Sequence, residues 1–172
     1  MTAVFRNIGP VIEVDDATID MLIEASGTEP KRRARLNLHN SDDDLLHEMI
    51  IAFRKDSLNM PHRHVGKSES MHVIRGRVEV IIFDDVGNVT RRVKLRAFDQ
   101  PRHWGRDSAP LDLAHVFRMA APLWHTVIPV DDVVVVHETT NGPFVAGKNM
   151  EIPPWAPQES ELAAWVDGLR CV

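Results

Sequence analysis

The chain has 172 residues, 44% of them hydrophobic and 26% charged. This composition supports one globular domain with a buried core and excludes a disordered chain. A formal net charge of -5, with no evident helix-turn-helix segment, argues against nucleic acid as a partner, and no apolar run approaches the roughly 18 residues a membrane-spanning helix needs.

The stretch "MTAVFRNIGPVIEVDD" lacks a charged start followed by an apolar block and a small-residue cleavage site, so a cytoplasmic location is expected. The single cysteine, Cys171, cannot close an internal disulfide. Any metal is therefore expected to be held by histidine and carboxylate. Residues 16–26 predict a short helix, with Asp16 as N-cap, Ile19, Leu22 and Ile23 as its apolar stripe, and Gly27 as its stop. "KRRAR" (31–35) follows Pro30 and reads as a solvated turn, with a phosphate-contacting patch as the sharper alternative.

Further along, "EMIIAF" (48–53), "SMHVI" (70–74), "RVEVIIF" (77–83), "VTRRVKL" (89–95), "HTVIPV" (125–130) and "VVVVHETT" (133–140) predict strands. They are short, rich in Val and Ile, and bounded by turn residues. In "RVEVIIF", Val78, Val80 and Ile82 should share one face, with Arg77 and Glu79 opposite. "DDVGN" (84–88), Arg75-Gly76 and "VDD" (130–132) mark turns. Residues 97–115 are polar, contain proline and lack periodicity, which predicts a loop. A last helix is predicted at 158–169, with Leu162, Trp165 and Leu169 on one stripe. Many short strands with few helices predict an all-β sandwich or barrel. The expected layout is a helical or extended segment (1–45), a barrel (46–145) and a C-terminal extension with a helix (146–172).

The stretch "NMPHRHVGKSESMHVIRG" (59–76) concentrates the candidate chemistry. In extended chain, residues i and i+2 point to the same face, so His62 and His64 can share a metal ion. Pro61 favours extended backbone before it. Glu69, after the connector "VGKS", can bring a carboxylate to the same ion, and His125, at the start of a later strand, is the best candidate for a fourth ligand. Three histidines and a carboxylate suit Fe, Mn, Zn, Ni or Cu and leave one or two coordination positions open.

"HRHVGKSESMHVIRG" has the form His-x-His, four residues, Glu, six residues, Gly, and so resembles the first metal-binding motif of the cupin superfamily. The second cupin motif is represented mainly by His125: Ala120 and Pro122 stand at its usual proline and glycine positions, and Pro129 replaces its asparagine. Asp56 stands where the first motif has a glycine. "RARLNLH", "FDDVGNV", "WHTVIP" and "HETTNGPF" narrow the resemblance to the WbuC-type cupin-fold metalloproteins, often associated with gene clusters for surface polysaccharide. The resemblance implies a single jelly-roll-like cupin β-barrel, a divalent metal, a small-molecule ligand or substrate, and a homodimer. It assigns no catalytic residue and no reaction.

Of the other histidines, His72 should face away from the site, and His137 is expected to be a hydrogen-bonded core residue. His39, His47, His103 and His115 are expected in solvent or loops, with His103 and Trp104 as an alternative cover for the barrel mouth. Trp124 is expected in the core, with a pocket wall as the alternative. Lys67, Ser68 and Ser70 are expected to satisfy loop backbone groups, with Lys67 or Arg63 meeting an anionic substrate as the sharper idea.

Three functions fit these residues. The first is a metal-dependent enzyme on a small polar metabolite, such as an isomerase or epimerase of a sugar derivative or an oxygenase. The second is a non-catalytic module in which the ion anchors a sensed or carried ligand. The third is a structural metal site with four protein ligands.

Overall fold

The computed structural model describes residues 3–100, 102, 113–145 and 147–170. In chain order the elements are β1 (Ala3–Arg6), α1 (Asp16–Thr28), β2 (Arg33–Asn37), β3 (Leu46–Arg54), β4 (Glu69–Arg75), β5 (Arg77–Phe83), β6 (Val89–Arg96), β7 (Val116–Met119), β8 (Trp124–Pro129), β9 (Val133–Asn141) and α2 (Leu162–Arg170). They form a six-stranded sheet, β1-β2-β3-β9-β4-β7, and a three-stranded sheet, β6-β5-β8. All pairings are antiparallel except β1 with β2.

Side-chain alternation sorts the apolar residues into three layers. Met49, Ile51 and Phe53 of β3, Met71 and Val73 of β4, Val78 and Val80 of β5, and Val127 of β8 point between the sheets and form the central core. Leu36, Ile50, Ala52 and Val135 point outward from the large sheet and are covered by Leu22 of α1. Ile81, Phe83, Trp124 and Ile128 point outward from the small sheet and are covered by Leu162 and Val166 of α2. The fold is thus a mostly β sandwich with a helix on each outer face.

The six expected strands are present, with ends shifted by a residue or two. Helix α1 is capped one residue earlier than expected: Asp15 Oδ1 accepts from Thr18 N at 2.9 Å and from Thr18 Oγ1 at 2.7 Å. The helix also runs through Gly27. Arg54 reaches its last turn, donating to Ser26 Oγ at 3.0 Å and to the Ile23 carbonyl, and a Cβ on Gly27 would stand 3.1 Å from that guanidinium. Helix α2 begins later than expected, and Arg92 caps its end, donating to the Leu169 carbonyl at 3.0 Å.

Other expectations are corrected. "KRRAR" is not a solvated turn: its second half opens β2, held by β3 and β1. β1 and β7 carried no strand signal, being four residues each with mixed polarity. The outer face of β5 is not solvated, because α2 covers it; Glu79 is buried there and ion-paired with Arg92 at 3.0 Å. At the Arg75-Gly76 turn, Gly76 has φ +78, and a Cβ would meet the Val133 carbonyl oxygen at 2.5 Å, so only glycine fits. Cys171, His103, Trp104 and most of the 97–115 excursion lie outside the described residues. No described helix is long and apolar enough to cross a membrane.

Candidate metal centre

The segment Pro61–His64 is extended because both of its edges are hydrogen-bonded. His62 N donates to the His125 carbonyl at 2.9 Å and His125 N to the His62 carbonyl at 2.8 Å. Arg63 and Glu151 exchange the same pair of bonds, each at 3.0 Å. Alternation then separates the side chains. His62 and His64 point to one side. Arg63 points to the other, where its guanidinium lies 4.2 Å above the Trp124 ring and pairs with Glu151 at 2.7 Å. Gly66, with φ +71, turns the chain toward β4. Glu69 lies in register on the inward face with Met71 and Val73, and His125 on the inward face with Val127.

The three histidines meet, and Glu69 borders two of them. Ligand nitrogens of His62, His64 and His125 lie within 4.8 Å of one another. Glu69 Oε2 is 3.2 Å from His64 Nε2 and 3.7 Å from His125 Nε2. The second ring nitrogen of each histidine fixes its tautomer. Nδ1 of His62 faces the Met60 carbonyl at 2.8 Å, that of His64 the Asn149 carbonyl at 3.3 Å, and that of His125 the Leu123 carbonyl at 3.0 Å. A carbonyl only accepts, so each Nδ1 carries a hydrogen. Nε2 of His62 and of His125 then presents a lone pair, while Nε2 of His64 donates to Glu69 and presents its lone pair once that proton leaves. This is the outer-shell pattern of metal-ligating imidazoles. His125 Nε2 is buried and has no hydrogen-bond partner among the described residues, a costly arrangement for an imidazole with nothing to ligate. The donor set therefore fits a divalent ion.

The electrostatics agree. Burial, followed by the neighbouring His125, lowers the His62 pKa to about 3, so the ring stays neutral. Burial lowers that of His125, partly offset by Glu69. His64 resists the same burial through its hydrogen bond to Glu69 and lies above the ordinary value. Glu69, nearly fully buried, is pushed up by burial, but the His64 hydrogen bond and the three imidazoles outweigh this and hold it ionised.

The cluster lines a cavity of about 500 Å³ that opens between the sheets. Its wall also carries Arg33 and Arg35, which sequence marks only as part of the phosphate-contacting alternative for "KRRAR", and Asn59 and Glu138, which sequence does not single out. Glu138 stands between Met49 and Met71 on the inward face of β9. Burial, then Glu69, pushes its carboxyl up to about 8, so it keeps its proton at neutral pH. The available sequence signal was the alternation of Arg33 and Arg35, which puts both on one face of a strand.

The structure places the remaining candidates elsewhere. His39 and His47 are buried, not solvated; their rings stack with centroids 4.0 Å apart. His72 is exposed on the outer face, as expected, beside His137, which is half-buried and 3.4 Å from Glu48. His115 donates to the Arg96 carbonyl at 2.9 Å. Trp124 belongs to the layer under α2, and its Nε1 donates to Asp85 at 3.0 Å. Neither Lys67 nor Arg63 lines the cavity. Lys67 donates to the Asn141 and Pro143 carbonyls, while Asn141 Oδ1 accepts from Ser68.

A family profile described as "Domain of unknown function (DUF6016)" matches residues 14–95, a span that includes His62, His64 and Glu69 but stops short of His125. No curated protein matches the chain. Among solved structures, protein SO0799 from Shewanella oneidensis is 12% identical with a TM-score of 0.56, over 89% of this chain and 92% of that one. CapF in complex with 3-isopropenyl-tropolone is 12% identical with a TM-score of 0.54, over 73% of this chain and 33% of that one. Recombinant oxalate oxidase in complex with glycolate is 15% identical with a TM-score of 0.49, over 73% of this chain; the present chain spans 57% of its length. At 12% identity the likeness to SO0799 and CapF concerns the fold alone. The chain has a cupin-type β-sandwich, with a histidine cluster that can hold a metal ion in the space between its sheets.

Proposed function

We propose that this protein holds a divalent metal ion through His62, His64, His125 and Glu69 and acts as a metal-dependent enzyme on a small polar metabolite. The observation that carries the reading is the convergence of three imidazoles, each with its Nδ1 turned to a backbone carbonyl, beside a buried carboxylate on the wall of the cavity. A divalent ion held there supplies Lewis-acid polarisation of a ligand oxygen. The chain's own residues do the rest. The backbone carbonyls of Met60, Leu123 and Asn149 orient the imidazoles. Glu138 keeps a proton at the cavity wall, where it can be given to a developing oxyanion. A sugar or sugar derivative as substrate, isomerisation or epimerisation as the reaction, a cytoplasmic location and a homodimeric state rest on the sequence reading and its WbuC-type resemblance.

The test is metal analysis of the purified protein, followed by turnover assays of the metal-loaded form on sugar phosphates, nucleotide sugars and O₂-dependent substrates. About one metal per chain is expected, with activity lost in His62→Ala and on chelation. Metal with ligand binding and no product would identify a metal-anchored binding module instead. No metal uptake by the folded protein overturns the reading.

A further inference from the structure

The cavity holds positive charge that the metal centre does not use. Arg33 and Arg35 are two residues apart on β2 and both line it. Their cross-strand partners, Phe53 and Ile51, belong to the central core, so both arginines leave the sheet on its inward face. Asn59 Oδ1 accepts from Arg33, and Asn59 is itself tied to the Val127 carbonyl at 2.9 Å. The Arg33 guanidinium is thus held in place from the connector bonded to β8. Arg35 makes no ion pair among the described residues. Its Nη1 rests 3.8 Å from the Met49 sulfur, and its Nε is buried without a hydrogen-bond partner. Arg35 is half-buried, but a buried guanidinium N–H left unanswered is costly unless a ligand answers it. Burial and the neighbouring Arg35 both lower the Arg33 pKa, and Glu138 offsets them only in part. Two adjacent guanidiniums in a cavity match an oxyanion, which accepts from their forked donors.

We propose that Arg33 and Arg35 form an oxyanion subsite of the cavity. The ligand is then a small acid whose carboxylate or phosphate meets the two guanidiniums, while its hydroxyl or carbonyl oxygens reach the His62, His64, His125 and Glu69 cluster. The second half of this statement rests on the metal reading above; the first half does not. Three strand spacings, about 14 Å between backbones, separate β2 from β4. Once the inward side chains are subtracted, a six-carbon acid bridges the two ends better than a two-carbon acid.

The test uses three probes of one skeleton: D-glucose, D-glucuronate and D-glucose 6-phosphate. Each is titrated calorimetrically into the full-length protein loaded with Mn²⁺ or Zn²⁺, and metal content is measured in parallel. At least one of the acids should bind about ten-fold or more tighter than glucose, the scale of a charge-assisted hydrogen bond. The tighter of the two acids assigns the subsite to carboxylate or to phosphate. Arg35→Gln should erase the preference with metal content unchanged, and Arg35→Lys, which keeps the charge but loses the fork, should retain part of it. Circular dichroism confirms that each variant is folded; if Arg35→Gln is not, Arg33→Gln replaces it. Equal binding of glucose and both acids, no binding of either acid, or a preference that survives both arginine substitutions overturns the subsite. A preference for acids in a protein that takes up no metal leaves the subsite standing and removes only its link to the metal.

Discussion

Each of the three clustered histidines donates its Nδ1 hydrogen to a backbone carbonyl. This leaves His62 and His125 neutral and lone-pair-forward, while Nε2 of His64 keeps a proton on Glu69 until an ion displaces it. His62 shows the consequence for stability. Its folded pKa is about 3, mainly through burial, against an ordinary value of 6.5. Between those values the unfolded chain binds a proton that the folded chain does not. The contribution of His62 is therefore complete above pH 6.5 and lost as pH falls toward 3, at up to about 1.4 kcal/mol per pH unit. His125 acts in the same direction. His64, whose pKa is raised, acts oppositely: its contribution is full below 6.5 and lost as pH rises through its folded value. Urea titrations of the metal-free protein at pH 4.5, 5.5 and 6.5 should show stability falling with pH, and His62→Gln should flatten the dependence. An unchanged slope in the variant would show that His62 is not held neutral.

At the level of elements, the period-2 pattern was enough to locate six strands, because strands that bury one face write that face into the sequence. It did not reveal which faces the helices cover. Glu79 alternates as a solvent residue should, yet it lies under α2 and depends on Arg92, which also caps that helix. Arg92→Ala leaves a buried carboxylate without its partner and is expected to cost about 3 kcal/mol. Adding Glu79→Gln in the same chain should recover part of that loss. Chemical denaturation of the single and double variants measures both numbers; a loss within about 0.5 kcal/mol, the size of an ordinary surface change, would mean that the pair is solvated. The same limit explains β1, β7 and the start of β2. Short or mixed-polarity segments become strands because a neighbouring edge offers hydrogen bonds, and that edge is not local in sequence.

Across the whole molecule, the candidate metal centre joins the two sheets and the connector between β3 and β4. Glu69 comes from the large sheet, His125 from the small one, and His62 and His64 from the connector hydrogen-bonded to β8. An ion held by all four binds the folded chain and not the unfolded one. At a free concentration of about 100 times its dissociation constant it adds about 2.7 kcal/mol. For a chain of this length that is roughly 5–10 °C in Tm. Chelation should lower the melting temperature of the metal-loaded protein by about this amount and leave His62→Ala unaffected; an equal effect on the variant would place the ion elsewhere.

That His62, His64 and His125 come together with Glu69 beside them could be read from sequence; that they hold an ion is the proposal. Their types and spacing are demanded by ligand chemistry, and strand alternation sets which way they point. The β-rich class followed from the same alternation. The rest of the cavity could not be read this way. Arg33, Arg35, Asn59 and Glu138 sit in segments that look like a basic turn, a loop and an apolar strand, and no local rule links them. They become neighbours only because β2, β3, β9 and β4 lie side by side in one sheet and Asn59, in the connector bonded to β8, reaches over to Arg33. Burial, which raises the Glu138 pKa and isolates Arg35 Nε, is likewise a property of the packed chain and not of any residue within it.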